Sequence, residues 1–154
     1  GTITAANASS ISDGAAAVVM MKESQAKEEG LDYQARIVAA ASHSRHPSEF
    51  TIAPVGAIEK VLDKAGWSVA DIDLWEINEA FAMVTMAAMD ELNIEHAKVN
   101  VEGGACALGH PVGCSGARIL VTLINSLKRT GGKKGVATLC IGGGEAVAVA
   151  IELA

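Results

Sequence analysis

Residues 103–118 read GGACALGHPVGCSGAR, and five of these sixteen residues are glycine. Glycine allows a positive φ and a close approach of other groups, at an entropic cost. Pro111 disfavours helical geometry at His110, so the imidazole is predicted to lie on a loop. The stretch therefore indicates a glycine-rich loop that presents one histidine.

A helix is predicted directly after this loop. Ser115 is a favourable N-cap, and the residues that follow it recur at helical spacing: Ile119, Leu120, Leu123, Ile124 and Leu127. Lys128 and Arg129 suit the last turn of such a helix, and Gly131 suits its end. The loop is thus expected to be held by a helix buried along one face. The alternative, that His110 is only a packed loop residue, remains open at this point.

The composition predicts a single domain with an aliphatic core, because 50% of the 154 residues are hydrophobic and only 3% are aromatic. A net charge of −6 without a basic run argues against a nucleic-acid partner. No apolar run reaches the roughly 18 residues of a membrane span, and no signal peptide is visible, so no membrane partner is expected. Three cysteines do not make a disulfide framework, which favours a reducing, cytoplasmic compartment. The first residue is Gly1, inside a patterned segment, which suggests a piece of a longer protein.

Strands and helices are predicted to alternate along the chain. After an ordered loop over 1–14, strands are predicted at 15–21, 34–42, 71–77, 135–141 and 146–153. Helices are predicted at 22–29, from Pro54 to Gly66, and at 81–92. Three glycines at 142–144 join the last two strands as a hairpin. The expected fold class is α/β, with a layered mixed sheet covered by helices.

Two connecting regions carry further predictions. The segment 43–50 reads as a loop that exposes His43 and His46. Asn78 is predicted to cap the helix over 81–92. That helix has apolar residues on every side, so it is predicted to be buried between layers.

Three polar residues lie where strands or helices are predicted to end or begin: Asn78, His110 and Cys140. Active sites of layered α/β folds usually lie at such edges. A thiol close to an imidazole can serve as a nucleophile or a proton carrier. The glycines after Cys140 leave backbone N–H groups to face a developing oxyanion, and one such donor lowers a barrier by about 3 kcal/mol.

Two other kinds of site fit less well. Cys106, His110 and Cys114 are spaced by four residues, but the glycines and Pro111 argue against a helix there, and no fourth metal ligand is evident. No metal site is therefore expected, and the two cysteines are interpreted as packing residues. The glycines at 142–144 lack both the dinucleotide-binding pattern and the lysine of a phosphate loop.

Several blocks of the sequence resemble those of the thiolase family. They are Asn78-Glu79-Ala80-Phe81-Ala82, the stretch from Gly103 through Gly109-His110-Pro111 to Arg118, Cys140-Ile141-Gly142-Gly143-Gly144, and a fourth block over residues 4–16. The resemblance covers essentially the whole chain. Within the family it is closest to the acetyl-CoA acetyltransferases.

The resemblance implies that residues 1–154 form the C-terminal half of a fold in which two similar α/β halves pack together. It implies a Claisen reaction in which two acetyl-CoA form acetoacetyl-CoA, or the reverse thiolysis, as in fatty acid metabolism. The nucleophilic cysteine belongs to the N-terminal half, so the isolated chain is predicted to be inactive. The expected partners are the acyl-CoA substrate, the N-terminal half and, for the full-length protein, a second copy or three further copies. No cofactor is implied beyond the coenzyme A thioesters themselves.

The resemblance also implies roles for individual residues. His110 activates the nucleophile and holds a thioester oxygen, and Asn78 positions a water at the same oxyanion site. Cys140 is the acid/base that removes an α-proton, and the Gly142 N–H contributes to a second oxyanion site. Three residues resemble positions in the binding tunnel and acyl pocket: Ala5, Ser9 and Phe81.

The sequence departs from the family at a few positions. Ala6, Cys106 and Cys114 replace residues more usual there, and none of them bears on the implied chemistry. The segment 42–52 is less typical, so the acyl-chain length remains open. Two alternatives therefore stand beside the acetyltransferase: a degradative 3-ketoacyl-CoA thiolase of broader chain length, and a non-catalytic acyl-CoA-binding protein.

Overall fold

A computed structural model describes the whole chain, residues 1–154. Helices and strands alternate in the order α1 (Glu23–Glu28), β1 (Ala35–Ser44), α2 (Ala53–Ala65), β2 (Leu74–Ile77), α3 (Ala82–Leu92), α4 (Ala105–Leu108), α5 (Ser115–Thr130), β3 (Lys134–Cys140) and β4 (Glu145–Leu153). Short 3₁₀ turns lie at Pro47–Ile52, Val69–Asp71 and His96–Lys98. The predicted α/β class is confirmed.

The four strands form one mixed sheet in the order β1-β4-β3-β2. β4 is antiparallel to both of its neighbours, whereas β2 runs parallel to β3. The predicted hairpin is confirmed, with Cys140 opposite Ala146 across the glycine turn. Because β2 and β3 are parallel and Ile77 lies beside Thr138, both strands end at the same edge of the sheet.

Helices cover both faces of the sheet. α2 packs on one face, begins with Pro54 in its first turn and ends at Gly66, whose φ is 68°. α5 packs on the opposite face through buried side chains that follow the predicted spacing: Ile119, Leu123 and Leu127. α3 contributes Val84 and Ala88 to the core on the α2 side. None of the helices combines the length and the apolar composition needed to cross a bilayer.

The prediction of a buried strand at 15–21 is wrong for this chain. These residues form neither helix nor strand, and their apolar side chains are exposed, with Val19 94% and Met20 69% accessible. The segment pairs with none of the four strands. Apolar runs form strands only where a neighbouring strand takes up their backbone hydrogen bonds, and the chain supplies none here.

The predictions for the third helix are also corrected. α3 begins at Ala82 after Phe81, and Asn78 is too far upstream to cap it. Only part of the helix surface is buried, since Met83 and Met86 are 37% and 62% accessible. Although α3 carries apolar side chains on every side, this chain therefore buries only those that face α2.

Three smaller predictions differ from the structure. His43 lies in β1, half-buried against Gly56 of α2, because β1 continues alongside β4 as far as Ser44; His46 is exposed as predicted. Ser115 is the first residue of α5 rather than its N-cap. The glycine-rich loop contains one helical turn, α4, between Gly104 and Gly109.

Candidate active site

Asn78 and Cys140 lie at the edge where the parallel strands β2 and β3 end. The backbone N–H of Asn78 donates a hydrogen bond of 3.0 Å to the Thr138 carbonyl, which continues the pairing of the two strands by one residue. Cys140 is the last residue of β3, two positions after Thr138. The sheet topology therefore brings these two predicted residues to the same edge.

The Asn78 side chain is buried without any hydrogen bond. It is 1% exposed, and neither its Oδ1 nor its Nδ2 has a partner in the chain. Leaving a buried polar group unpaired costs about 1–3 kcal/mol, so such groups are rare and often mark functional sites. This amide is available to a water molecule or a ligand at the sheet edge.

Cys140 is a buried thiol beside free backbone donors. It is 9% exposed, and burial raises the pKa of the thiol, with a smaller opposing effect from a backbone N–H. In the turn that follows, Ile141 and Gly144 donate backbone hydrogen bonds within the hairpin, whereas Gly142 and Gly143 donate none. The thiol thus stays protonated near neutral pH, and two N–H groups next to it are free.

The N-terminal loop connects His110 to the sheet edge. Both the backbone N–H and the hydroxyl of Ser9 donate to the Ala80 carbonyl, at 3.1 and 2.9 Å. The next residue, Ser10, accepts a 2.8 Å hydrogen bond from the backbone N–H of His110. His110 is therefore tied, through two consecutive serines, to the segment that follows Asn78.

Ser115 determines which nitrogen of the His110 imidazole can accept a proton. The Ser115 Oγ lies 2.6 Å from His110 Nδ1 and donates its own proton to the Pro111 carbonyl at 3.1 Å. A hydroxyl has a single proton to donate, so in this arrangement Nδ1 carries hydrogen and Nε2 is the unprotonated nitrogen. Burial, and then the charge of Arg118, lower the pKa of the His110 imidazole, which keeps it neutral at neutral pH.

A charged pair lies beneath this loop. Arg118 of α5 contacts Glu76 of β2, with 3.3 Å between Nη1 and Oε2. Glu76 is 2% exposed, and its Oε1 has no partner. Burial raises the pKa of Glu76 to about 7, although the nearby Arg118 opposes that rise.

The three predicted binding residues differ in how firmly the structure holds them. Phe81 follows Asn78 closely and stacks edge-on against Phe50, with 6.1 Å between ring centroids. Ser9 is held against Ala80, as described above, while Ala5 lies in an exposed turn. No group of three or more His, Cys, Asp or Glu side chains is arranged to hold a metal ion.

Several residues of this site were not predicted from the sequence. Ser115 was interpreted only as a helix cap, whereas its side chain binds the imidazole. The Glu76–Arg118 pair was not singled out, although a glutamate within an apolar strand is an available signal. Asn100 and Glu79, which connect β2 to the glycine-rich loop, carried no pattern that marks a contact.

Comparisons with known proteins match nearly the whole chain to one family. Residues 31–153 match the family described as thiolase, C-terminal domain, and residues 1–24 match thiolase, N-terminal domain. The chain is 53% identical to the cytosolic acetyl-CoA acetyltransferase of Mus musculus and 55% identical to the acetyl-CoA acetyltransferase of Allochromatium vinosum. Each alignment covers 99% of this chain but only 38% and 39% of those relatives, so the chain spans about two fifths of their length.

Solved structures agree with the fold. The acetyl-CoA acetyltransferase of Bacillus anthracis superimposes with a TM-score of 0.97 at 50% identity, and human mitochondrial 3-ketoacyl-CoA thiolase in complex with CoA with 0.91 at 42%. Both comparisons cover 99% of this chain and 39% of the other. On the family match, the sequence identity and the shared fold, the chain belongs to the thiolase family.

Proposed function

We propose that this chain supplies the acid/base and oxyanion-binding part of an acetyl-CoA acetyltransferase, which condenses two acetyl-CoA to acetoacetyl-CoA or cleaves acetoacetyl-CoA with coenzyme A. The observation that carries the proposal is the buried, unpartnered amide of Asn78 at the sheet edge where Cys140 ends β3. Identities of 50–55% to proteins named acetyl-CoA acetyltransferase support it.

In the proposed reaction the cysteine of the N-terminal half first takes the acyl group of one acetyl-CoA, and the Cys140 thiol gives its proton to the departing CoA thiolate. The Cys140 thiolate formed in this way then removes a proton from the α-carbon of the second acetyl-CoA. The resulting enolate attacks the acyl group carried by a cysteine of the N-terminal half, and that cysteine leaves as a thiolate. In thiolysis the steps reverse, and the Cys140 thiol donates its proton to the departing acetyl-CoA carbanion. Burial raises the pKa of Cys140, which favours the thiol form that the thiolysis direction needs.

Two oxyanion sites serve the developing charges in this proposal. The Nε2 of His110 deprotonates the nucleophile, and as imidazolium it then donates to the thioester oxygen together with a water on Asn78. The unpaired N–H of Gly142 serves the oxygen of the acylated cysteine. Ser9, Ala5 and Phe81 are proposed to contact the pantetheine and acyl groups.

The proposed partners are the acyl-CoA substrate and the N-terminal half of a thiolase. The human mitochondrial 3-ketoacyl-CoA thiolase has been solved in complex with CoA, and it shares this fold. The exposed apolar run at 15–21 and the exposed Met83 and Met86 provide surface for the second half. The full-length protein is proposed to be a dimer or a tetramer. It is also proposed to lie in the cytosol, and the name of the mouse relative supports that location.

The proposal is tested with Cys140→Ala in the full-length protein, using acetyl-CoA formation from acetoacetyl-CoA and CoA as the readout. Loss of a positioned acid/base is expected to lower kcat by about 10²–10⁴-fold. Cys106→Ala is the matched control: the Cys106 thiol makes a long hydrogen bond of 3.7 Å to the Glu79 carbonyl, and alanine keeps the backbone N–H that donates to Glu79, so kcat is expected to stay unchanged. Wild-type activity in Cys140→Ala would contradict the proposal, as would turnover by residues 1–154 alone.

A 3-ketoacyl-CoA thiolase of broader chain length is the second candidate. Its support is the TM-score of 0.91 and 42% identity to the human mitochondrial 3-ketoacyl-CoA thiolase. A series of 3-ketoacyl-CoA substrates of increasing length separates the two, since kcat/KM falls steeply beyond acetoacetyl-CoA only for the acetyltransferase.

A further inference from the structure

We infer that Asn100 and Glu79 are positioning residues that hold the Asn78 amide in place relative to the His110 loop. The inference rests on the proposed function only for its kinetic readout. Four hydrogen bonds carry it, and none of them involves the side chain of Asn78 or of His110. These bonds are referred to below as the Asn100–Glu79 network.

Asn100 substitutes for a strand neighbour at the open edge of β2. Its Oδ1 accepts from the Ile77 N–H at 2.8 Å, and its Nδ2 donates to the Ile77 carbonyl, also at 2.8 Å. Its own N–H donates to the Trp75 carbonyl at 2.9 Å. The residue adopts a φ of 47°, a left-handed conformation that asparagine tolerates better than most residues. The backbone immediately before Asn78 is thereby fixed along the edge that has no neighbouring strand.

Glu79 extends the same network to the glycine-rich loop. One carboxylate oxygen, Oε1, accepts from the Asn100 Nδ2 at 2.8 Å, and the other, Oε2, accepts from the backbone N–H of Cys106 at 3.1 Å. Cys106 lies in α4, four residues before His110. Asn78 is thus flanked by two anchored residues, Ile77 and Glu79, and the second of them is anchored to the loop that carries the imidazole.

The glycine-rich loop is shaped to receive this carboxylate. A Cβ placed on Gly104 would overlap the Glu79 carboxylate, so only glycine leaves room for it at that position. The loop is attached at its other end by the Ser10 carbonyl to the His110 N–H. Between these two attachments lie α4 and Gly109, whose φ of 93° completes the turn into His110.

Breaking the network is expected to move the catalytic groups apart without changing their chemistry. A displacement of about 1 Å between catalytic groups can cost about 10²-fold in rate. Since neither Asn100 nor Glu79 is proposed to contact substrate, the loss is expected in kcat, with KM for both substrates nearly unchanged.

The test uses Glu79→Gln, Asn100→Asp and the double variant in the full-length enzyme. Glutamine has a single acceptor oxygen, so in either amide orientation it faces one of the two donors with its own NH₂ group. Asn100→Asp places two acceptors against Glu79 and the Ile77 carbonyl. In the double variant, the new amide at position 79 donates to the new carboxylate at position 100 and accepts from the Cys106 N–H, which restores the link between β2 and α4.

Each single variant is expected to lower kcat by about 10–100-fold with KM unchanged, and the double variant to recover part of that loss. Glu102→Gln is the matched control: it removes the same charge next to the glycine-rich loop, but the exposed Glu102 side chain pairs only with Arg129, so kcat is expected to stay at the wild-type value. The inference would be overturned if both single variants kept the wild-type kcat. It would also be overturned if the double variant lost as much kcat as the two single losses multiplied together. An inactive wild-type enzyme would instead refute the proposed function alone. Crystal structures of the two single variants would then test the inference, and an Asn78 side chain that keeps its wild-type position in both would overturn it.

Discussion

The two glycine-containing segments of the candidate site are held in different ways. The loop before α5 makes three hydrogen bonds to neighbouring segments. The Cys106 N–H donates to the Glu79 carboxylate, the His110 N–H donates to the Ser10 carbonyl, and the His110 imidazole binds the Ser115 hydroxyl. The turn after β3 is held by its own hairpin bonds and by the Arg45 N–H, which donates to the Gly144 carbonyl at 2.9 Å, and it leaves the Gly142 and Gly143 N–H groups unpaired. The first segment therefore positions a side chain, whereas the second presents backbone donors to whatever binds there.

His110→Ala tests the positioned side chain and has the largest expected effect. Removing the general base and oxyanion donor is expected to lower kcat of the full-length enzyme by about 10²–10⁴-fold. His46→Ala is the control, because His46 is exposed and contacts only Ser48. If His110→Ala and His46→Ala have the same kcat, the loop before α5 does not position a catalytic side chain, and the contrast with the turn after β3 is lost.

Gly142→Pro tests the presented donors. Proline lacks the N–H, and loss of one oxyanion donor is expected to lower kcat by about 10²–10³-fold relative to Gly142→Ala, which keeps it. The chain leaves open space around a Cβ at this position, so the alanine variant provides the baseline. If the two variants have the same kcat, the Gly142 N–H is not an oxyanion donor.

Glu76→Gln probes the support beneath the His110 loop through the pH dependence of stability. The ordinary pKa of 4.5 is raised to about 7 in the folded protein, so between these values only the folded state keeps the proton. Stability of the wild type is then expected to fall by about 3 kcal/mol as the pH rises through this window, and this component is expected to be absent in the Gln variant. Denaturant unfolding of both proteins on either side of the window measures the difference; parallel pH curves would contradict it.

Ser115→Ala has the smallest expected effect. Loss of the hydrogen bond to His110 Nδ1 is expected to cost about 1 kcal/mol of stability and a severalfold decrease in kcat. Ser126→Ala is the control on the same helix, because the Ser126 Oγ is buried without a partner and its removal is expected not to lower stability. A kcat for Ser115→Ala equal to that of Ser126→Ala would mean that the tautomer of His110 is set elsewhere.

The sequence predicted the elements whose signals are local. The boundaries of α2 and α5 follow from Pro54, Gly66 and Gly131 together with the helical apolar spacing, and the hairpin follows from the glycines at 142–144. The same local reasoning selected Asn78, His110 and Cys140, because a polar residue next to an apolar strand or helix can be recognised from the sequence alone. Their catalytic roles remain predictions.

The errors occurred where a residue depends on distant partners. An apolar run predicts burial at 15–21 but does not reveal whether a neighbouring strand is present, and the same holds for the exposed side of α3. The link from Asn100 to Glu79 crosses 21 residues, and that from Arg118 to Glu76 crosses 42. Such contacts depend on how the chain folds in three dimensions, so no local sequence pattern predicts them.

A crystal structure of the full-length protein with bound acetyl-CoA would show whether Asn78, His110 and Cys140 line one thioester site. We expect the thioester oxygen at a hydrogen-bond distance of about 2.7–3.2 Å from His110 Nε2 or from a water on Asn78, with the acetyl methyl group next to Cys140 Sγ. An acetyl group bound away from all three side chains, for example in the groove formed by Val69, Trp75 and Lys98, would contradict it.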